Sequence, residues 1–214
     1  MSWLAHTLRV LAVRNRRYEG LYRRVARPDG YAWAEMLRRR GDFHAMGDDC
    51  YIDPHALIED RAYVRLGRNV RMAACTLLGH DGAVNMINRA LGLRLDSVGK
   101  IDIRDNVYIG IHAIILPGVT IGPNAIVSAG SVVRSDVGSG DVVAGVPAKR
   151  VGTFAMSVEM LKAKNQAYPW RHLIEQREDD AASYWRMERE LVRMRVEHFF
   201  GAGSSPAAPG KDSR

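Results

Sequence analysis

From Ile103 onward every sixth residue is aliphatic: Ile103, Ile109, Ile115, Ile121, Val127 and Val133. Four positions after each stands a small or β-branched residue: Val107, Ala113, Val119, Ala125, Ser131 and Val137. Gly110 and Gly122 directly follow a repeat aliphatic. A period of six fits neither an amphipathic helix nor an alternating strand. It fits a chain that turns a corner every few residues and points one side chain inward from each flat face. The same spacing links Ile52 to Ile58, and Leu66 to Met72 and Leu78, with Ala56, Ala62, Val70 and Thr76 as companions. Between Ile58 and Leu66 the step is eight, so two extra residues bulge there. From Gly79 to Lys100 the pattern vanishes, which predicts a loop thrown out of the coil. Loops of that length without regular structure of their own are often functional.

The flanks follow helical spacing. Residues 2–27 set Trp3, Leu4, Leu8, Leu11, Ala12 and Val13 against Arg9, Arg14, Arg16, Arg17, Arg23 and Arg24, a basic amphipathic pattern. Packing on the coil or on a neighbouring subunit is the favoured role, and a membrane-surface helix is the alternative. Residues 31–40 predict a second helix, ended by Gly41. After the coil, Ser157–Ala167 predicts a helix with Ser157 as its N-cap, and a longer one follows over Asp179–Phe200. The organisation expected is an N-terminal helical region (1–50), a repeat domain (51–152) with the excursion loop 79–100, C-terminal helices (153–200) and a disordered tail (201–214) rich in Gly, Ser, Ala and Pro.

The repeat resembles that of the hexapeptide-repeat acyltransferases, over roughly residues 51–152. The resemblance implies a mainly β fold: a left-handed parallel β-helix of triangular section, three hexads per coil, with helical flanks. No hexad is stable alone, because each coil buries its aliphatics against the next. The family also implies a homotrimer, with the site in the cleft between two subunits.

Composition narrows the function. A hydrophobic share of 47% supplies a core, and no run of about 18 apolar residues exists to span a membrane. Arginines interrupt any signal-like apolar stretch near the N-terminus. Cys50 and Cys75 show no metal spacing and read as buried fillers in a reducing compartment, which points to the cytoplasm. The net charge of +7 invites nucleic acid, yet no nucleic-acid-binding motif is present, and the basic residues lie mostly in the flanks. No nucleic-acid partner is expected.

His80, in LLGHDG, stands where the coil gives way to the excursion. Acyl transfer from a thioester needs a base of near-neutral pKa where two substrates meet. In the acetyltransferases resembled, a His at this junction is the catalytic base. Asp81 is a candidate to orient His80 or bind the acceptor. Asp53, in YIDP, falls where sugar acetyltransferases of the family carry an acceptor-binding Asn or Asp; its ordinary role is a turn residue before Pro54. Tyr108 stands where related enzymes carry an aromatic residue lining the site, with an outward-facing strand residue as the equal alternative, and His112 takes a position often Asn or His beside the coenzyme channel, where a structural corner role is favoured over catalysis. Small residues Gly110, Ser128, Ala129, Gly130 and Gly145 allow close approach of a pantetheine arm, and they also suit solenoid corners. AGVPAKRV matches the family's closing motif, in which Lys149 lies near the adenosine phosphates; Arg150 and Arg134 are weaker candidates. VVRSD departs from the family by placing Arg134-Ser135 where many relatives have Thr-Lys.

The resemblance thus implies acetyl-CoA as donor, with no metal, and O-acetylation of a sugar or surface-polysaccharide precursor. An N-acyltransferase acting on an amino sugar and a non-catalytic scaffold are the alternatives. A zinc enzyme built on the same coil is disfavoured, because the close His pair it needs is missing.

Overall fold

The computed structural model describes residues 3–177 and 181–201, with the side chains of 181–185 set aside. The tail expected to be disordered lies almost wholly outside these residues. Two compact units divide the chain, residues 1–156 and 157–214.

The hexads form short strands that wind round three sheets. In chain order they are β1 (Ala45–Met46), β2 (Tyr51–Ile52), β3 (Leu57–Ile58), β4 (Val64–Leu66), β5 (Arg71–Met72), β6 (Thr76–Leu77), β7 (Ile101–Ile103), β8 (Tyr108–Ile109), β9 (Ile114–Ile115), β10 (Thr120–Ile121), β11 (Ile126–Val127), β12 (Val132–Val133), β13 (Asp141–Ala144) and β14 (Lys149–Thr153). The first sheet is β1-β4-β7-β10, the second β2-β5-β8-β11-β13-β14 and the third β3-β6-β9-β12. All pairs are parallel except β13 with β14. Ile103 pairs with Ile121, Ile109 with Val127 and Ile115 with Val133, so three hexads make one turn. From Ile103 to Val137 the repeat aliphatics and their companions are buried together along the axis.

The first coil begins at β1, before Tyr51, since Ala45–Met46 already pairs with β4. The inward residue of β6 is Leu77, paired with Ile58 and Ile115, not Leu78. Its companion is the buried Cys75, not Thr76. One residue is missing from the preceding corner, where the Cys75 N–H closes a tight turn onto the Ala73 carbonyl, 2.6 Å away. Cys50 is buried too, as the inward companion before β2 on the second sheet. The bulge after Ile58 is a short 3₁₀ turn, Arg61–Tyr63, which makes the buried Val64 rather than Ala62 the inward companion before Leu66.

The N-terminal segment is two helices rather than one: α1 (Trp3–Arg14) and α2 (Glu19–Ala26). Asn15 is extended and its side chain accepts the Arg17 N–H, which opens a 3₁₀ turn between them. α3 (Gly30–Arg40) starts at Asp29, which accepts the Ala32 N–H, and stops at Gly41 with φ 72°. Trp33, Ala34, Met36 and Leu37 bury one face of α3 in the core shared with the first coil. A partly buried ion cluster ties the segment to the bulge. Glu19 accepts from Arg40 at 2.7 Å and Arg61 at 2.8 Å, and Asp42 accepts from the same two arginines.

The excursion is not irregular throughout. It carries α4 (Ala83–Leu91), closed by Gly92 at φ 65°. After the coil come α5 (Phe154–Ala167), α6 (Arg171–Glu175) and α7 (Ala181–Phe200). α5 starts three residues before Ser157, and it is Thr153 Oγ1 that accepts the Met156 N–H. Within the second unit Trp170 is buried and stacks on Tyr168 at 4.5 Å, and an Arg177–Glu188 pair braces α7.

Candidate active site

Each coil has three corners, and the candidate residues separate by corner. The corner from the third sheet to the first carries His80. Residues 79–81 and 97–99 pinch the excursion at its base: Gly99 N–H bonds to Gly79 O, Asp81 N–H to Ser97 O, and His80 bridges Val98. His80 therefore sits on paired backbone, although it opens a loop. Its side chain is 41% exposed, so the ring is reachable.

The partner that orients His80 is Asp60, on the coil below. An Asp60 carboxylate oxygen and His80 Nδ1 share a hydrogen bond. That contact and the charge of Asp60 raise the His80 pKa above the ordinary histidine value of 6.5. With Nδ1 engaged, Nε2 is the nitrogen left for a substrate proton. Gly79 makes room, since a Cβ there would lie 2.6 Å from the Asp60 Cβ. Asp60 itself has φ 50°, a conformation Asp tolerates better than most residues.

Asp81 does not hold the ring. Its carboxylate accepts the Ala83 N–H at 2.9 Å, at the entrance to α4. An adjacent residue on paired backbone points elsewhere, whereas one stacked a coil below can reach the ring. Sequence reading missed Asp60 because of the register. Counted from Leu77, Asp60 follows Ile58 by two and stacks under Gly79; counted from Leu78, the match is lost.

The corner from the second sheet to the third collects most of the other candidates. Asp53 lies there on the first coil, where its carboxylate accepts the backbone N–H of His55 at 2.8 Å and lies 3.1 Å from His55 Nδ1. Gly110 and His112 lie there on the third coil, Ser128, Ala129 and Gly130 on the fourth, and Gly145 beyond. Gly110 is required by stacking, because a Cβ would approach the Ala129 nitrogen to 2.5 Å. His112 has φ 59° and an exposed side chain, a corner position. Tyr108 is exposed on the outer face of the second sheet beside Arg71. Within one chain this corner and that of His80 are distinct.

Arg134 stands at the His80 corner, two coils on, exposed. Lys149 and Arg150 lie on β14. Arg150 is committed to Asp141 at 2.6 Å, while Lys149 and Arg134 make no side-chain bond among the described residues. Burial pushes the Cys75 thiol up to about 12, so it stays protonated and is no nucleophile. Among the described residues, no three His, Cys, Asp or Glu side chains converge as a metal site.

Residues 100–135 match the family model described as bacterial transferase hexapeptide, six repeats. That match covers the later coils only and marks them as hexapeptide repeats. The chain is 28% identical over 126 residues to galactoside O-acetyltransferase of Escherichia coli (strain K12), a match covering 50% of the chain and 62% of that protein. It is 53% identical over 53 residues to 2,3,4,5-tetrahydropyridine-2,6-dicarboxylate N-acetyltransferase of Staphylococcus aureus (strain bovine RF122 / ET3-1), covering 25% of the chain and 22% of the relative. The chain thus spans less than two thirds of either curated relative. The solved maltose O-acetyltransferase of Clostridium difficile 630 superposes with a TM-score of 0.52 at 21% identity, over 71% of this chain and 89% of that one. That likeness is one of fold. The hexapeptide-repeat coil is a left-handed parallel β-helix with helical flanks.

Proposed function

We propose that the protein is an acetyl-CoA-dependent O-acetyltransferase acting on a hydroxyl of a sugar or polysaccharide precursor. The observation that carries the reading is the Asp60–His80 pair at the pinched mouth of the excursion. His80, neutral and oriented through Nδ1, accepts the acceptor's hydroxyl proton at Nε2. The oxygen attacks the thioester carbonyl, and the tetrahedral oxyanion is held by backbone N–H donors. The carbon–sulfur bond breaks, and the imidazolium returns the proton to the departing thiolate. Asp60 keeps one tautomer and stabilises the charged ring between the two steps. The protonated Cys75 leaves direct transfer as the route.

Small residues of the second corner, with Lys149 and Arg134 as free cations, are the groups offered to the donor's pantetheine arm and phosphates. They lie at a different corner from His80, apart from Arg134. A site shared between neighbouring copies brings the two kinds of corner together, so a homotrimer is part of the proposal. Acetyl-CoA as donor places the reaction in the cytoplasm. The 53-residue likeness to an N-acetyltransferase supports a second reading, acylation of an amine.

The test is product analysis by mass spectrometry after incubation with acetyl-CoA and a panel of sugars, amino sugars and nucleotide sugars. An acetyl ester, cleaved by hydroxylamine, is expected. An amide product would replace the first reading by the second. No product with any acceptor, together with no coenzyme A binding by calorimetry, would leave a scaffold.

A further inference from the structure

The end of α2 and the first coil line an open pocket of about 520 Å³. α2 and the turn after it bring Arg23, Arg24, Arg27 and Asp29 to its lining, and the first coil brings Asp53 and His55. The pocket is away from the His80 corner of the same chain. Its groups are not randomly disposed. Arg23 Nη1 donates to Pro54 O at 3.2 Å, which anchors the helix end over the coil corner. The two carboxylates are occupied by local donors: Asp29 by the Ala32 N–H at 2.8 Å and Asp53 by the His55 N–H. Arg24 makes no hydrogen bond or ion pair among the described residues. The C-terminal end of a helix attracts a cation by its dipole, but one arginine suffices for that and three share this mouth.

We propose that this pocket binds the anionic group of the acceptor, so that the acceptor is a phosphorylated sugar rather than a neutral one. Guanidinium groups hold a phosphate through paired charge-assisted hydrogen bonds, which suits Arg24 as the free fork. Asp53 and the exposed His55, whose Nε2 is unengaged among the described residues, supply an acceptor and a ring for sugar hydroxyls. The mixture of excess guanidinium with a carboxylate fits a ligand that is anionic at one end and hydroxylated at the other. The anion site stands by itself; its assignment to the acceptor rests on the transfer reading.

Calorimetry with the full chain tests it, using glucose 1-phosphate, glucose, inorganic phosphate and coenzyme A as probes, on wild type, Arg24→Ala and Arg24→Lys. Glucose 1-phosphate is expected to bind more tightly than glucose or phosphate, and without displacing coenzyme A. Arg24→Ala is expected to weaken it by about 10- to 100-fold, and Arg24→Lys by less. Equal affinity for glucose and glucose 1-phosphate, or an unchanged affinity in Arg24→Ala, overturns the site. Phosphate binding as tightly as the sugar phosphate, or competition with coenzyme A, overturns its sugar-phosphate assignment. Failure of the transfer reading has a different signature: glucose 1-phosphate binds through Arg24, yet no acceptor releases thiol from acetyl-CoA.

Discussion

Asp60 and His80 are 20 positions apart in sequence, and a single hydrogen bond joins their roles. Because Asp60 raises the His80 pKa, the neutral base forms only as pH climbs past a midpoint above 6.5. The rate constant kcat/KM should therefore rise with pH through that midpoint. In Asp60→Asn the midpoint should move down, while a merely structural loss would lower the rate without moving it. A pH–rate profile of both proteins decides. A second residue-scale device is a ladder of left-handed asparagines at the corner from the first sheet to the second. Asn69 Nδ2 donates to Asn106 Oδ1, and Asn106 Nδ2 donates to Asn124 Oδ1, both at 3.0 Å, with φ between 53° and 57°. Asn tolerates that backbone, and its amide links one coil to the next. Asn106→Ala removes both bonds and leaves a strained φ, so urea denaturation should show a loss of about 1–3 kcal/mol. Asn106→Gly should lose less, since it keeps the backbone at ease.

At the scale of elements, the ion cluster holding α2, the end of α3 and the bulge together is the joint nearest the site. Burial alone would raise the Glu19 pKa, but hydrogen bonds and charge from Arg61 and Arg40 outweigh it and bring it down to about 2. The folded-state value is depressed, so the stabilisation is present above the ordinary value of 4.5 and fades as pH falls from there toward 2. A shift of this size corresponds to about 3 kcal/mol. Glu19→Gln should be destabilised at neutral pH by an amount of that order, and its disadvantage against wild type should shrink in acid. Thermal melts from pH 7 to pH 3 measure this directly. The helices also show where the sequence misleads. Residues 2–27 read as one amphipathic run, but the Asn15 side chain competes for the Arg17 N–H and breaks it. The excursion read as a loop because only the six-residue period was sought. Its helix has a local spacing of its own, with Val84, Ile87 and Leu91 on one face and Gly92 as a stop.

For the whole molecule, the solenoid was legible because its period is long, strict and doubled by a second restricted position. What one repeat cannot reveal is a deletion at a corner, and the missing residue before Cys75 shifted the reading of β6 by one. That shift hid Asp60, the residue most needed to interpret His80. That His80 stands where the regular pattern ends was legible in the sequence. The corner that gathers Gly110, His112 and Ser128–Gly130 emerges only when the coils are stacked. Stacking also sets the core energetics. Ile109 is fully buried between coils, so Ile109→Ala should cost about 2–5 kcal/mol in denaturant unfolding. Light scattering should give three times the chain mass, and a monomer would remove the shared site. The central claim is that His80 is the base of an acetyl transfer. Its most direct test is the rate of acceptor-dependent thiol release from acetyl-CoA by wild type and His80→Ala, with circular dichroism confirming that both are folded. His80→Ala should lose about 10²- to 10⁴-fold in kcat; a folded His80→Ala protein turning over at the wild-type rate would rule His80 out as the base.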